Sequence, residues 1–188
     1  MTAVVSIGSN MDDSRELLDS VYRDFDEAGQ LRAASSIYRT PAWGVEDQPD
    51  FLNAILVVEV EQSPVELLHR GQALENAAGR VRVHKWGPRT LDVDIVAAWE
   101  SAASTVDTDN AADTDRGTST ANGTDTEITS DTDELRLPHP YAHQRAFVLM
   151  PWLEINPDAV LGGRRVAELL AELPDEDTAG ITRGESFR

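Results

Sequence analysis

Cysteine is absent from the 188-residue chain, which excludes disulfides, thiolate metal sites and cysteine nucleophiles. Lysine is almost absent: Lys85 stands alone beside 15 arginines. No apolar run reaches the roughly 20 residues that a membrane-crossing helix needs. The start, MTAVVSIGSN, has neither a basic n-region nor a long apolar h-region, so a soluble, cytoplasmic protein is expected. A G-x-x-x-x-G-K motif followed by Ser or Thr occurs nowhere, which argues against Walker-type nucleotide binding. Positive charge is scarce overall, with a net charge of −18. Such an acidic surface repels nucleic acid and anionic membranes, and neither is expected as a partner.

What is present suits one domain spanning 1–188 with a sizeable core. Residues 101–134 interrupt it with 13 Ser or Thr, nine acids and only Val106 and Ile128 as sizeable apolar side chains. Such a segment cannot bury enough surface to offset its ordering entropy, and it is expected to be a disordered acidic insertion whose ends stay ordered. The flanks are patterned. AVVSIG reads as a strand closed by a Gly8-Ser9-Asn10 turn, and DDSRELLDSVYRDFDEAG as an amphipathic helix. LRAASSIYRT and FLNAILVVEVE read as strands. SPVELLHRGQALENAAG is a helix with Ser63 as N-cap, Pro64 in its first turn and Glu66 at the capping-box position. RTLDVDIVAAWE is a further strand, LRLPHP pairs nearby, and AFVLMPWLEI and RRVAELLAEL supply more core and a helix. The order β-α-β-β-α-β with a C-terminal extension predicts a ferredoxin-like α+β sheet with helices packed on it.

The stretch GPRTLDVDI places Asp92 and Asp94 on one face of its strand, with Cα atoms about 6.5–7 Å apart. Two like charges at that range repel, and a hard divalent cation would relieve them, taking carboxylate oxygens, waters and substrate phosphates. A solvated strand would show the same D-x-D, so the pair alone does not decide. Upstream, GRVRVHKWGPR concentrates Arg80, Arg82, Lys85 and Arg89 in ten residues of a chain otherwise poor in positive charge. Arginine forks grip phosphate oxygens, and a glycine-bracketed basic loop is able to close over a polyphosphate. Downstream, His139 and Arg145 are candidate partners for an anionic oxygen. Phe51 and Phe147 are candidate platforms for a flat ring, and Asn53 has a donor and an acceptor to read its edge.

The segments IGSN, SSIYRTPAWG, QPDFLNAI, ENAAGRVRVHKWGPRTLDVDI and LPHPYAHQRAFVLMPW, in that order and spacing, resemble the 6-hydroxymethyl-7,8-dihydropterin pyrophosphokinases of folate biosynthesis. The resemblance covers nearly the whole chain outside the insertion and the last dozen residues. It implies a ferredoxin-like monomer, a Mg²⁺-dependent diphosphotransferase moving the pyrophosphoryl group of ATP onto the pterin hydroxymethyl group and releasing AMP. It further implies that Asp92 and Asp94 hold two Mg²⁺ ions and that Arg80 and Arg89 act on the phosphates. Gln72, Glu75, Arg82, Trp86, His139 and Arg145 correspond to ATP-binding positions. The pterin is implied to stack between Phe51 and Phe147, its edge read by Asn53 and by Thr40, Pro41 and Trp43. Two other readings of the residues exist. A nucleotide-sugar transferase using D-x-D requires a larger nucleotide-binding fold than this chain supplies. A non-catalytic nucleotide, pterin or divalent-metal binding module with an acidic interaction loop would bind the same ligands without releasing AMP.

Overall fold

Side chains alternate between the two faces of a strand, so TAVVSIGS sets Ala3, Val5 and Ile7 on one side of a sheet and Val4 on the other. The computed structural model describes residues 1–11, 13–41, 49–79, 90–100 and 125–187. Its elements run β1 (Thr2–Ser9), α1 (Ser14–Glu27), β2 (Leu31–Ala34), β3 (Tyr38–Thr40), β4 (Phe51–Glu59), α2 (Pro64–Ala77) and β5 (Asp92–Glu100). There follow β6 (Thr126–Glu127), β7 (Ser130–Asp131), β8 (Arg136–Leu137), α3 (Ala146–Ile155), β9 (Val160–Leu161) and β10 (Arg164–Arg165). The chain closes with α4 (Val166–Ala171), α5 (Asp175–Thr178) and β11 (Thr182–Arg183).

The main sheet is ordered β11-β3-β4-β1-β5-β6, with β2 also on β4, and every pairing in it is antiparallel. With β1 central between β4 and β5, this is the ferredoxin-like α+β arrangement that the element order predicts. On one side, Ala3, Val5, Ile7, Ala54, Leu56, Val58, Val93 and Ile95 meet Leu18, Val21 and Phe25 of α1 and Leu67 of α2. Each fully buried Val, Leu, Ile or Phe among them contributes about 1.5–3 kcal/mol. Arg70 of α2 spans to α1, pairing with Asp24 at 2.7 Å and lying over the Phe25 ring at 4.2 Å. On the other side, Val4, Ile55, Val96 and Ala97 meet Val148, Leu149 and Trp152 of α3 and Val166 and Leu169 of α4. Both parts of the α2 capping box form, with the Ser63 side chain accepting from the Glu66 N–H and the Glu66 side chain from the Ser63 N–H.

Four expectations need correction. LRAASSIYRT is two strands, because Ser35 breaks the ladder: its hydroxyl donates to the Ser36 carbonyl at 2.7 Å and accepts from the Ile55 N–H at 2.9 Å. Gly8-Ser9 is no turn, since β1 continues through Ser9 and pairs Gly8 with both Asn53 and Asp92. Arg164–Arg165 is a short strand on β9, and the helix begins at Val166. The ordered end expected for the insertion reaches further into it than expected, back to residue 125. Thr126–Glu127 pairs with β5 and Ser130–Asp131 with β8, because Ile128 packs against the α1/α2 core and its N–H reaches the Ala98 carbonyl at 2.8 Å. Residues 101–124 lie outside the described part of the chain.

Candidate functional site

Register decides which way the aspartates face. Ser6 and Gly8 of β1 alternate with the buried Val5 and Ile7, and they oppose Asp94 and Asp92 respectively. Both carboxylates therefore lie on the α3 side of the sheet, while Val93 and Ile95 fill the α1/α2 side. A register shift between Val4 and Val5 leaves Val96 as an extra residue in β5. It falls after the pair and leaves their common face intact. Asn53 and Phe51 share that side by the same parity, since Ala54 and Leu56 belong to the opposite core.

Asp94 is the electrostatic centre of what is described. Its carboxylate is 3.4 Å from the Arg145 guanidinium and 3.9 Å from His139 Nε2. Arg145 occupies the N-cap position of α3, and its guanidinium lies 5.7 Å from the Phe147 ring and 5.9 Å from that of Tyr141. His139 is held by its own N–H, which donates to the Val96 carbonyl on the outer edge of β5 at 2.8 Å. Burial, and then the neighbouring Arg145 charge, push its imidazole down to about 4 against the opposing pull of Asp92. At neutral pH it is uncharged, suited to a hydrogen bond with an anionic oxygen rather than to a salt bridge.

Toward β3, the Asn53 amide donates to Thr40 Oγ1 at 2.7 Å, and both residues are buried. This bond fixes which edge of the amide faces outward. Phe51 and Phe147 are half-buried on β4 and α3, and Pro41 is exposed just past Thr40. Gln72 and Glu75 are placed differently, on α2 and thus on the other layer. Glu75 is buried, and its carboxylate accepts from the Val93 N–H at 2.9 Å. It thereby holds the strand backbone midway between the two aspartates. Arg80, Arg82, Trp86, Arg89 and Trp43 lie outside the described residues.

Two contributors escaped the sequence reading. Gly8 has no side chain where the Asn53 amide crosses β1: a Cβ there would stand 2.5 Å from Asn53 Oδ1. Its signal is a glycine inside an otherwise apolar strand. Tyr141 is 57% exposed, with its ring 6.1 Å from that of His139, and an aromatic side chain left in solvent beside charged residues was the available cue.

Comparison with known proteins adds to this geometry. The family model described as 7,8-dihydro-6-hydroxymethylpterin-pyrophosphokinase (HPPK) matches residues 4–157. A Mycobacterium tuberculosis protein named 2-amino-4-hydroxy-6-hydroxymethyldihydropteridine pyrophosphokinase is 42% identical over 187 residues, 96% of this chain and 89% of that protein. Proteins of the same name from Methylorubrum extorquens and Haemophilus influenzae are 37% and 32% identical, covering 97% and 93% of this chain and 98% and 94% of their own lengths. The crystal structure of Plasmodium falciparum HPPK-DHPS superposes with a TM-score of 0.53 at 12% identity, over 91% of this chain and 43% of that one, and supports the fold. Matched by the family model over most of its length and by relatives end to end, the chain belongs to the 7,8-dihydro-6-hydroxymethylpterin-pyrophosphokinase family.

Proposed function

We propose that this protein transfers the β,γ-diphosphoryl group of ATP to the hydroxymethyl oxygen of 6-hydroxymethyl-7,8-dihydropterin and releases AMP, as a step of folate biosynthesis. The observation that carries the reading is the common face of Asp92, Asp94, Asn53 and Phe51, with Arg145, Phe147 and His139 set against it.

The carboxylates of Asp92 and Asp94 suit Mg²⁺. They are hard oxygen donors, partly exposed, with uncharged His139 and no thiol beside them. Two protein carboxylates leave coordination positions for water and phosphate, the usual division for this ion. When bound, Mg²⁺ neutralises triphosphate charge and polarises the phosphorus under attack. The chain's own residues do the rest. Asn53 and Thr40 orient the heterocycle by its edge, and Phe51 and Phe147 supply faces for its ring. Arg145, steadied by Asp94, adds positive charge toward the phosphates, as do Arg80 and Arg89 from the loop. Gln72, Arg82, Trp86 and His139 complete the ATP side, with Glu75 supporting it through the Val93 N–H between the two aspartates. Pro41 and Trp43 complete the pterin side. The pterin hydroxyl oxygen bonds to the β-phosphorus as the bond from that phosphorus to the α,β-bridging oxygen breaks, the bridging oxygen leaving with AMP and the hydroxyl proton passing to solvent, a transfer that rests on position and charge more than on a covalent nucleophile.

In this reading the protein is a cytoplasmic monomer of one domain. Among the described residues no helix is long and apolar enough to cross a membrane. The test is incubation with ATP, Mg²⁺ and the pterin. AMP should form in step with the pterin diphosphate. Formation of ADP counts against the assignment, and binding of both ligands without AMP release makes the chain a non-catalytic binding module.

A further inference from the structure

The family match ends at residue 157, yet the chain beyond it returns to the sheet beside the residues proposed to read the pterin. β11 pairs with β3, Arg183 opposite Tyr38 and Thr182 opposite Arg39. The contact continues past the strand: the Gly184 N–H donates to the Ile37 carbonyl and the Ile37 N–H to the Glu185 carbonyl, each at 2.8 Å. Phe187 then stacks on Tyr22 of α1 with ring centroids 4.7 Å apart. Ahead of β11, Gly180 lies so close to Pro41 that a Cβ would stand 2.8 Å from the proline Cγ.

The same segment joins β3 to α3. Glu154, near the end of α3 and only 16% exposed in its side chain, accepts from the Ser36 N–H at 3.1 Å and the Ser36 hydroxyl at 2.9 Å. The Arg183 guanidinium donates to that carboxylate at 2.7 Å, and its Nε donates to the Ser36 hydroxyl at 3.0 Å. Three elements thus meet at one carboxylate. Helix α3 is tied down at both ends, by Arg145 to Asp94 of β5 and by Glu154 to the chain leading into β3.

β3 needs that support. It is three residues long and holds β4 through three residue pairs, so without β11 it would be a short edge strand with little to set its position. Its last residue is Thr40, the acceptor for Asn53. We propose that Arg183, acting with Glu154, is a positioning residue for the pterin subsite: it locks β3 against α3 and so sets the distance between the Thr40–Asn53 edge and the Phe147 face. The aspartate pair lies on β5, three strand spacings or about 14 Å across the sheet, and Arg145 keeps its own tie to Asp94, so the larger effect falls on the pterin.

This inference rests on the pterin assignment above, and the experiment separates the two. Wild type, Asn53→Ala, Arg183→Ala, Arg183→Lys and Glu154→Gln are titrated with 6-hydroxymethyl-7,8-dihydropterin by its fluorescence, and KM is measured for each substrate. In Arg183→Ala the pterin Kd and KM should rise about three- to tenfold with the ATP KM within about twofold, and Arg183→Lys should recover part of the loss. A purely structural role predicts a lower melting temperature with the two KM values unchanged or shifted equally, and either result overturns the proposal. Arg183 is 60% exposed in its side chain, so its removal leaves a folded protein to assay even where Glu154→Gln does not. If wild type binds no pterin, the functional assignment itself falls. If Asn53→Ala weakens the pterin and Arg183→Ala does not, only the role of the tail falls.

Discussion

Replacing Gly8 by alanine is a one-carbon probe of the site. The new methyl would stand 2.5 Å from Asn53 Oδ1 and 3.6 Å from its Cγ, and the oxygen must retreat by most of an ångström to reach ordinary contact. The Asn53 amide is not free to comply, because it donates to Thr40 at 2.7 Å in a buried setting. Breaking that bond and leaving a buried amide short of a partner costs about 1–3 kcal/mol. Gly8 is not among the glycines with positive φ, so alanine's backbone fits and returns about 0.4–1 kcal/mol through the unfolded chain. The net expectation is a loss of about 0.5–2 kcal/mol, equivalent to roughly 1–8 °C in Tm for a protein of this size. A weaker pterin Kd should accompany it. Thermal melts and pterin titration of Gly8→Ala, Asn53→Ala and the double variant form a cycle. Once Asn53 is truncated, the methyl at residue 8 should cost nothing further. Additive losses, or a single variant with wild-type melting and pterin affinity, would refute the reasoning.

Further outcomes follow from the same geometry. Asp92→Asn and Asp94→Asn should each lower AMP formation about a hundredfold or more while circular dichroism stays native; near-normal turnover in both would remove the metal role. His139 of the nucleotide-free protein should titrate with a midpoint of about 4 rather than 6.5, checked by imidazole NMR with His139→Gln for assignment. Because its folded value is lowered, the unfolded chain takes up the proton first. The stability contributed by neutral His139 is therefore complete above about 6.5 and is lost as pH falls toward 4; a midpoint near 6.5 would contradict this. Excising 104–122 should leave turnover intact, since Glu100 and Thr126 already face each other as partners. Extending the cut through 131 removes Ile128 from the core and should lower the melting temperature; equal melting of the two deletions would show that β6 and β7 contribute nothing.

Legibility in the sequence tracked how local each cause is. The aspartates' shared face needed only the two-residue period of a strand, and the α2 start needed only Ser63, Pro64 and Glu66. Glu75 was half legible: Leu67, Gly71 and Glu75 form the buried stripe of α2, so helical spacing alone points that carboxylate at the sheet. What it meets there, the Val93 N–H on an edge left open by β6, depends on a pairing that no local pattern encodes. The break at Ser35–Ser36 was hidden because serine hydroxyls replace ladder bonds without changing the apolar pattern. The meeting of Ser36, Glu154 and Arg183 joins positions 118 and 147 residues from Ser36. Sequence proximity carries no trace of it.

The extra residue at Val96 also sets where this gene tolerates changes of length. Loss of Val96 would leave Ile95 opposite Val5 and Ala97 opposite Val4, a regular ladder with the aspartates and Trp99 on their present faces, whereas a codon gained between Asp94 and Val96 would add a second unpaired residue to the strand. Beyond Glu100 the strand has reached the rim of the sheet, where additional codons lengthen a connection without rotating any side chain. Within the strand a change of length must be taken up as a bulge, as it is at Val96, while past Glu100 it need not be, and the acidic segment of this chain follows that point.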